Sequence, residues 1–182
     1  LANSHLEIPL GQWVLKEAIH QMNRWREAGE ALAVSINISA PHLMDRKFAD
    51  YLEGYLQSHP EVSPGQITLE VLESTALEDT KRASNVLARC QSLGLQVALD
   101  DFGTGFSSLT YLRTLPVDVI KIDKSFVRNM LTDANDRAIV ESVIFLAQRF
   151  DHPVLAEGVE TLEHAAALRD MGCNLVQGYG IA

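Results

Sequence analysis

Leu95-Gln96-Val97-Ala98-Leu99-Asp100-Asp101-Phe102-Gly103-Thr104-Gly105 is the stretch on which the reading of the fold turns. Its apolar part, Leu95 to Leu99, reads as a buried strand, and Asp100 and Asp101 are expected where that strand emerges into a glycine-rich turn. Ionised carboxylates side by side repel unless a cation, a base or water offsets them, so the pair is a candidate metal site. A solvated Asp-Asp-x-Gly turn would explain the pair taken alone. The same arrangement, however, recurs along the chain.

Working outward, apolar and β-branched runs occur at Leu32 to Ile38, Gln66 to Leu72, Val117 to Ile122, Pro153 to Ala156 and Asn174 to Val176. Between them lie helical patterns. Gly11 to Ala28 carries Val14, Ala18, Met22 and Trp25 at helical spacing, and Phe48, Leu52 and Leu56 mark a second helix. Thr80 can cap a third that ends near Gly94; Asp136 to Phe150 and Thr161 to Met171 supply two more, the last closing at Gly172. Trp13 and Trp25 are expected to anchor the core. Strands alternating with helices of this length predict βα units and a parallel sheet in a single domain, residues 1–182. At the carboxyl ends of the runs stand Asn37, Glu70, Asp100 with Asp101, Lys121 with Asp123, Glu157 with Glu160, and Gln177. In a parallel β/α barrel such ends converge on one face, where these folds place their chemistry. Polar residues that merely mark strand termini would be mostly Ser, Thr, Asn and Gly; a set this rich in carboxylates and amides predicts one site.

Composition narrows what that site serves. The 182 residues are 47% hydrophobic, enough for one sizeable core, and carry a formal net charge of -9. That charge excludes broad binding of a DNA or RNA polymer, because no basic face can neutralise many phosphates. A small anionic ligand remains compatible if metal ions carry the positive charge. Cys90 and Cys173 form no Cys-x-x-Cys and are expected as free thiols. No stretch approaches a membrane span, and Leu1 to Ile8 is no signal peptide, so a cytoplasmic domain is expected, with room for a membrane-tethered parent protein.

Val34-Ser35-Ile36-Asn37-Ile38-Ser39, Leu69-Glu70-Val71-Leu72-Glu73-Ser74, Asp100-Asp101-Phe102-Gly103-Thr104-Gly105-Phe106-Ser107-Ser108-Leu109, Lys121-Ile122-Asp123, Ala156-Glu157-Gly158-Val159-Glu160 and Gln177-Gly178-Tyr179 resemble, in order, the successive motifs of EAL domains. Those are cyclic di-GMP phosphodiesterases built on a modified TIM-like (β/α)8 barrel. The resemblance implies hydrolysis of cyclic di-GMP to linear pGpG with two divalent ions, Mg²⁺ or Mn²⁺, which suit hard oxygen ligands. It assigns Asn37, Glu70 and Asp100 to the first ion and turns Asp101 toward the second. Lys121 becomes the partner or base for the attacking water, and Glu157 joins the metal and water network. Gln177 orders the site, Glu73 anchors the loop after the paired aspartates, and Asp123 and Glu160 support it. It further implies a homodimer through the helical region after the Gly103 loop, and other signalling domains in the parent protein.

Two departures stand out. Leu72 occupies a position where the family usually has Thr, which removes a hydroxyl but no ligand. The barrel is expected to be incomplete at both ends: the strand bearing the Glu-Ala-Leu tripeptide, with its metal-binding glutamate, is absent, and so is the closing segment. Hydrolysis by this chain alone is therefore expected to be weak. Asp101-Phe102-Gly103 matches the kinase magnesium tripeptide without the accompanying kinase signatures. Gly103-Thr104-Gly105 begins a dinucleotide fingerprint that fails at Ser108. The histidines show no ligand spacing, and His20 and His164 read as surface or satisfied residues. A non-catalytic cyclic di-GMP-binding regulatory domain is the main alternative. A barrel aldolase with Lys121 as Schiff base is a third, disfavoured because the surrounding carboxylates hold the lysine protonated.

Overall fold

The computed structural model of the protein describes residues 6–104 and 112–181. The Gly105–Leu109 part of the glycine-rich block, the region invoked for dimer contact and the opening Leu1–His5 lie outside the described residues. The remainder alternates strands with helices and groups into two compact units, one up to Val97 and one from Ala98 onward.

In the first unit α1 (Glu7–Glu27) leads into β1 (Val34–Ile38). Then follow α2 (Ala40–Leu43), α3 (Phe48–Gln57), a 3₁₀ turn at Pro64–Gln66, β2 (Ile67–Leu72), α4 (Glu73–Glu78) and α5 (Thr80–Ser92). Along β1, Ile36 and Ile38 are buried while Ser35 and Asn37 are exposed, the two-residue alternation of a strand with one face on a core. β1 and β2 pair in parallel, with Asn37 opposite Glu70. α3 buries Phe48, Leu52 and Leu56, as their spacing predicts.

Helix α1 corrects the sequence reading. Its buried stripe is Leu15, Ile19 and Met22, and the expected anchor Trp13 is 58% exposed, while Trp25 is only half-buried. The two candidate stripes share Met22 and differ by one position along the chain. Aliphatic side chains win the inner face here, and the larger indoles are displaced toward the rim. The cap of α5 is corrected as well. Asp79 occupies the cap position, its carboxylate accepting the Arg82 N–H, and Thr80 is the first helical residue.

The second unit holds the later strands: β3 (Gln96–Phe102), which begins just before it, β4 (Val119–Ile122), β5 (Val154–Glu157) and β6 (Leu175–Gln177). Each pairs with the next in parallel. The intervening helices are α6 (Lys124–Asn129), α7 (Ala134–Arg149) and α8 (Leu162–Asp170). α7 starts two residues earlier than expected because Asp133 caps it, accepting from the Asn135 and Asp136 N–H groups. Thr161 caps α8, and Gly172 closes it with φ +90°, a left-handed conformation that costs glycine nothing. Ile120, Ile122, Val140, Ala156 and Leu168 are essentially inaccessible and form this unit's core.

The decisive stretch behaves differently at its end from the expectation. Asp100 and Asp101 do not leave the strand; β3 runs on to Phe102. Leu99 pairs with Ile120 and Phe102 with Ile122, so two residues of β3 oppose the single Lys121 of β4. This is a β-bulge, and Asp101 takes the left-handed φ of +54° within it. Asp tolerates that conformation better than β-branched residues do, which explains why it can occupy the position.

Candidate functional site

The bulge is what gathers the acidic groups. In a regular strand Asp100 and Asp101 would point to opposite faces; the extra residue and the left-handed turn bring both carboxylates to one side. Oxygens of Asp100, Asp101 and Glu157 lie within 4.8 Å of one another. Lys121, 4% exposed, supplies the balancing charge from β4. Its Nζ lies 2.6 Å from Glu157 Oε1 and 3.0 Å from Asp100 Oδ1. The Asp100 oxygen is buried and that contact lacks hydrogen-bond geometry, so the atom keeps acceptor capacity toward the cluster.

Asp123 follows β4 and caps α6, accepting from the Ser125 N–H at 2.9 Å and from the Ser125 hydroxyl. Asp101 is hydrogen-bonded to Asp123. Burial, the proton shared with Asp123, and the charges of Asp100, Asp123 and Glu157 together push the Asp101 carboxyl up to about 6. Asp123 moves the other way. Burial opposes its ionisation, but the Ser125 hydroxyl and amide, Asp101 and Lys124 outweigh that and hold its carboxyl below the ordinary value. Below about pH 6 a proton between the two therefore sits on Asp101; above that both carboxyls are ionised. Lys121 offsets Asp100 and Glu157, and Lys124 offsets Asp123, which leaves a group of four carboxyls rich in hard oxygens with an excess of negative charge. Such a set fits a divalent cation, with Asp100, Asp101 and Glu157 as its ligands.

Beside this cluster opens a cavity of about 430 Å³ lined by Lys124, Arg128, Glu157, Gly158, Glu160, Gln177, Gly178 and Tyr179. Glu157 and Gln177 are cross-strand partners at the ends of β5 and β6. The turn carrying Gln177 lies directly on the loop after Glu157. The Val159 N–H donates to the Gln177 carbonyl at 3.0 Å, the Gly180 N–H to the Val159 carbonyl at 2.9 Å, and a Cβ on Gly178 would collide with the Val159 backbone. Glu160 pairs with Arg128 at 2.8 Å.

Of the residues expected at the site, the structure thus brings together Asp100, Asp101, Lys121, Asp123, Glu157, Glu160 and Gln177 in the second unit. In the first, Asn37 and Glu70 sit opposite each other at the ends of β1 and β2, with Glu70 buried. Glu73 heads α4 at 1% exposure, and Leu72 before it stands at the cap position with no side-chain hydrogen bond to offer. Sequence reasoning missed Ser125 and Arg128. The Asp123-x-Ser125 spacing, a helix-cap signature, could have revealed the first; nothing local marks the second.

A parallel βα protein whose strand ends carry a cation-competent carboxylate cluster, a buried lysine and a nucleotide-sized cavity is the class that the fold and site define. The chain belongs to the EAL domain family, whose model matches residues 1–182. It is 37% identical over 175 residues to the bifunctional diguanylate cyclase/cyclic di-GMP phosphodiesterase MucR of Pseudomonas aeruginosa, a match covering 96% of this chain and 25% of that protein. It is 39% identical over 177 residues to the cyclic di-GMP phosphodiesterase PdeR of Escherichia coli, covering 97% and 26%. The chain spans about a quarter of the length of these curated relatives. Its fold is that of the PaMucR phosphodiesterase solved in complex with c-di-GMP, with TM-score 0.89, 36% identity, and coverage of 96% of this chain and 70% of that one. The EAL domain of Mycobacterium smegmatis DcpA gives TM-score 0.85 at 38% identity, covering 93% and 77%. The expected α/β fold of TIM-like EAL domains is therefore the fold observed.

Proposed function

We propose that this chain is a catalytic domain hydrolysing cyclic di-GMP to linear pGpG with divalent Mg²⁺ or Mn²⁺. The observation that carries this reading is the bulge that turns Asp100 and Asp101 together toward Glu157 with Lys121 between them. The phosphodiesterase names of MucR and PdeR support the substrate. A divalent cation held by Asp100, Asp101 and Glu157 would supply Lewis acidity toward the phosphoryl oxygens and acidify a water.

The chain's own groups do the rest. Lys121 donates to Glu157 Oε1, fixing that carboxylate and leaving its other oxygen to orient water or cation. A cation held there would keep Asp101 ionised, because a positive charge favours the carboxylate form. Water adds to phosphorus, one P–O3′ bond breaks, and the 3′-oxygen leaves with a proton, giving the linear dinucleotide. The cavity beside Glu157, with Lys124 and Arg128 on its wall, has room for a nucleotide portion of the substrate. A cation also reconciles a chain of net charge -9 with a dianionic ligand. Asn37 and Glu70 carry the further metal-binding roles that the resemblance assigns them. A cytoplasmic location, assembly as a homodimer and attachment to other signalling domains belong to the same proposal. No helix among the described residues is long and apolar enough to cross a membrane. Incubating the parent protein with cyclic di-GMP and Mn²⁺ and separating the nucleotides tests the reading: pGpG is expected, whereas stoichiometric binding with the dinucleotide recovered intact would assign a receptor instead.

A further inference from the structure

His164 is a buried imidazole in the first turn of α8, 7% exposed and outside the carboxylate cluster. Both ring nitrogens are engaged. Nε2 lies 3.2 Å from the Arg128 carbonyl oxygen and Nδ1 lies 2.9 Å from Thr161 Oγ1. A carbonyl can only accept, so Nε2 carries hydrogen. Thr161 Oγ1 accepts the His164 backbone N–H at 3.3 Å, and its own hydrogen has two acceptors within reach, His164 Nδ1 and the Glu163 carboxylate. In the neutral ring the network selects the Nε2–H tautomer. The Arg128 carbonyl belongs to the last turn of α6, where carbonyls lack partners within the helix. The imidazole therefore ties the end of α6 to the start of α8.

Two more contacts close the same joint. Arg128 Nε lies 2.8 Å from Glu160 Oε1. Gly158, at φ +68°, is so close to α6 that a Cβ would fall 2.6 Å from Lys124 Cβ. Lys124 immediately follows Asp123, and Gly158 immediately follows Glu157. The joint thus stands directly behind the ends of β4 and β5, whose Lys121 and Glu157 meet at 2.6 Å.

We propose that His164 is a positioning residue: by bonding the Arg128 carbonyl it holds α6 against the loop that follows Glu157, and so sets the Lys121–Glu157 contact and the cation affinity of the Asp100–Asp101–Glu157 group. The inference rests on the metal-dependent reading of that group. His164 touches none of the carboxylates, so replacing it leaves every proposed ligand in place.

The test combines ¹⁵N spectra of the imidazole with Mn²⁺ affinity measured from the free-ion electron paramagnetic resonance signal, in wild type, His164→Leu and His164→Gln. The Nε2–H tautomer is expected. His164→Leu should weaken Mn²⁺ binding about tenfold, the scale of losses when groups behind a metal site are removed, and His164→Gln should stay within about twofold, because its amide can donate to the Arg128 carbonyl. An Nδ1–H tautomer, or wild-type Mn²⁺ affinity in His164→Leu, would overturn the proposal. Should His164→Leu fail to fold, His164→Asn, whose shorter amide cannot reach the Arg128 carbonyl, takes its place: it should weaken Mn²⁺ binding as His164→Leu does, and wild-type affinity in it overturns the proposal. A parent protein that binds Mn²⁺ yet forms no pGpG defeats the phosphodiesterase reading alone; one that binds no Mn²⁺ defeats both.

Discussion

Replacing Asp101 by Asn probes the bulge where its electrostatics are most distinctive. In the cation-free protein the Asp101 carboxyl is raised from 3.8 to about 6 by burial and by its acidic neighbours, with its proton shared toward Asp123. A folded-state value above the unfolded one means that the folded protein binds the proton more tightly. The associated stability is present at low pH and is lost as pH rises from about 4 through about 6. One unit corresponds to about 1.4 kcal/mol, which bounds the loss at about 3 kcal/mol; solvent screening of this partly exposed group reduces it to about 1 kcal/mol. Asparagine is neutral at every pH and still donates to Asp123. Asp101→Asn should therefore match wild type near about pH 4.5 and exceed it by about 1 kcal/mol near about pH 7.5, in urea unfolding with chelator present. Saturating Mn²⁺ should reverse the order, because the variant has lost a ligand. A stability difference that is constant across this range would refute the shared-proton account.

Glu157→Gln and Lys121→Ala should each reduce pGpG formation in the parent protein by at least about a hundredfold while far-ultraviolet circular dichroism stays native, because charge at the reacting centre is lost and no apolar core is. Leu15→Ala should cost about 2–5 kcal/mol in urea unfolding and Trp13→Ala about 0.5 kcal/mol or less, the opposite of what side-chain size alone suggests. Leu72→Thr should stabilise the chain by about 0.5–1 kcal/mol by giving α4 an N-cap acceptor, visible as a raised denaturation midpoint; an unchanged midpoint would show that the threonine makes no cap.

The strands were legible because each is a short β-branched run bounded by glycine, proline or a cap residue, and those signals are local. The polar residues at their ends were legible for the same reason, and the geometry collects the later ones as the pattern implied. The bulge was not legible. Whether Asp101 continues β3 or leaves it depends on the register against β4, and nothing in Leu99 to Gly103 reports that pairing. The wrong stripe on α1 has a different origin: two overlapping apolar rows one position apart carry similar periodicity, and only packing against β1 chooses Leu15 and Ile19 over Val14 and Ala18. Asp79 and Thr80 are adjacent cap formers, so the cap of α5 was placed one residue late. Arg128 was missed, and His164, read as a surface or satisfied residue, is indeed satisfied, but its link to Arg128 runs through a backbone carbonyl that no side-chain pattern encodes.

The proposed hydrolysis depends above all on a cation held by Asp100, Asp101 and Glu157. Its most direct test is the Mn²⁺ dependence of pGpG formation by the parent protein, compared between wild type and Asp100→Asn in matched preparations. No pGpG is expected without metal, and in the variant the half-saturating Mn²⁺ concentration should rise by about tenfold or more, with lower turnover at saturation. Superimposable Mn²⁺ curves for the two proteins would contradict it.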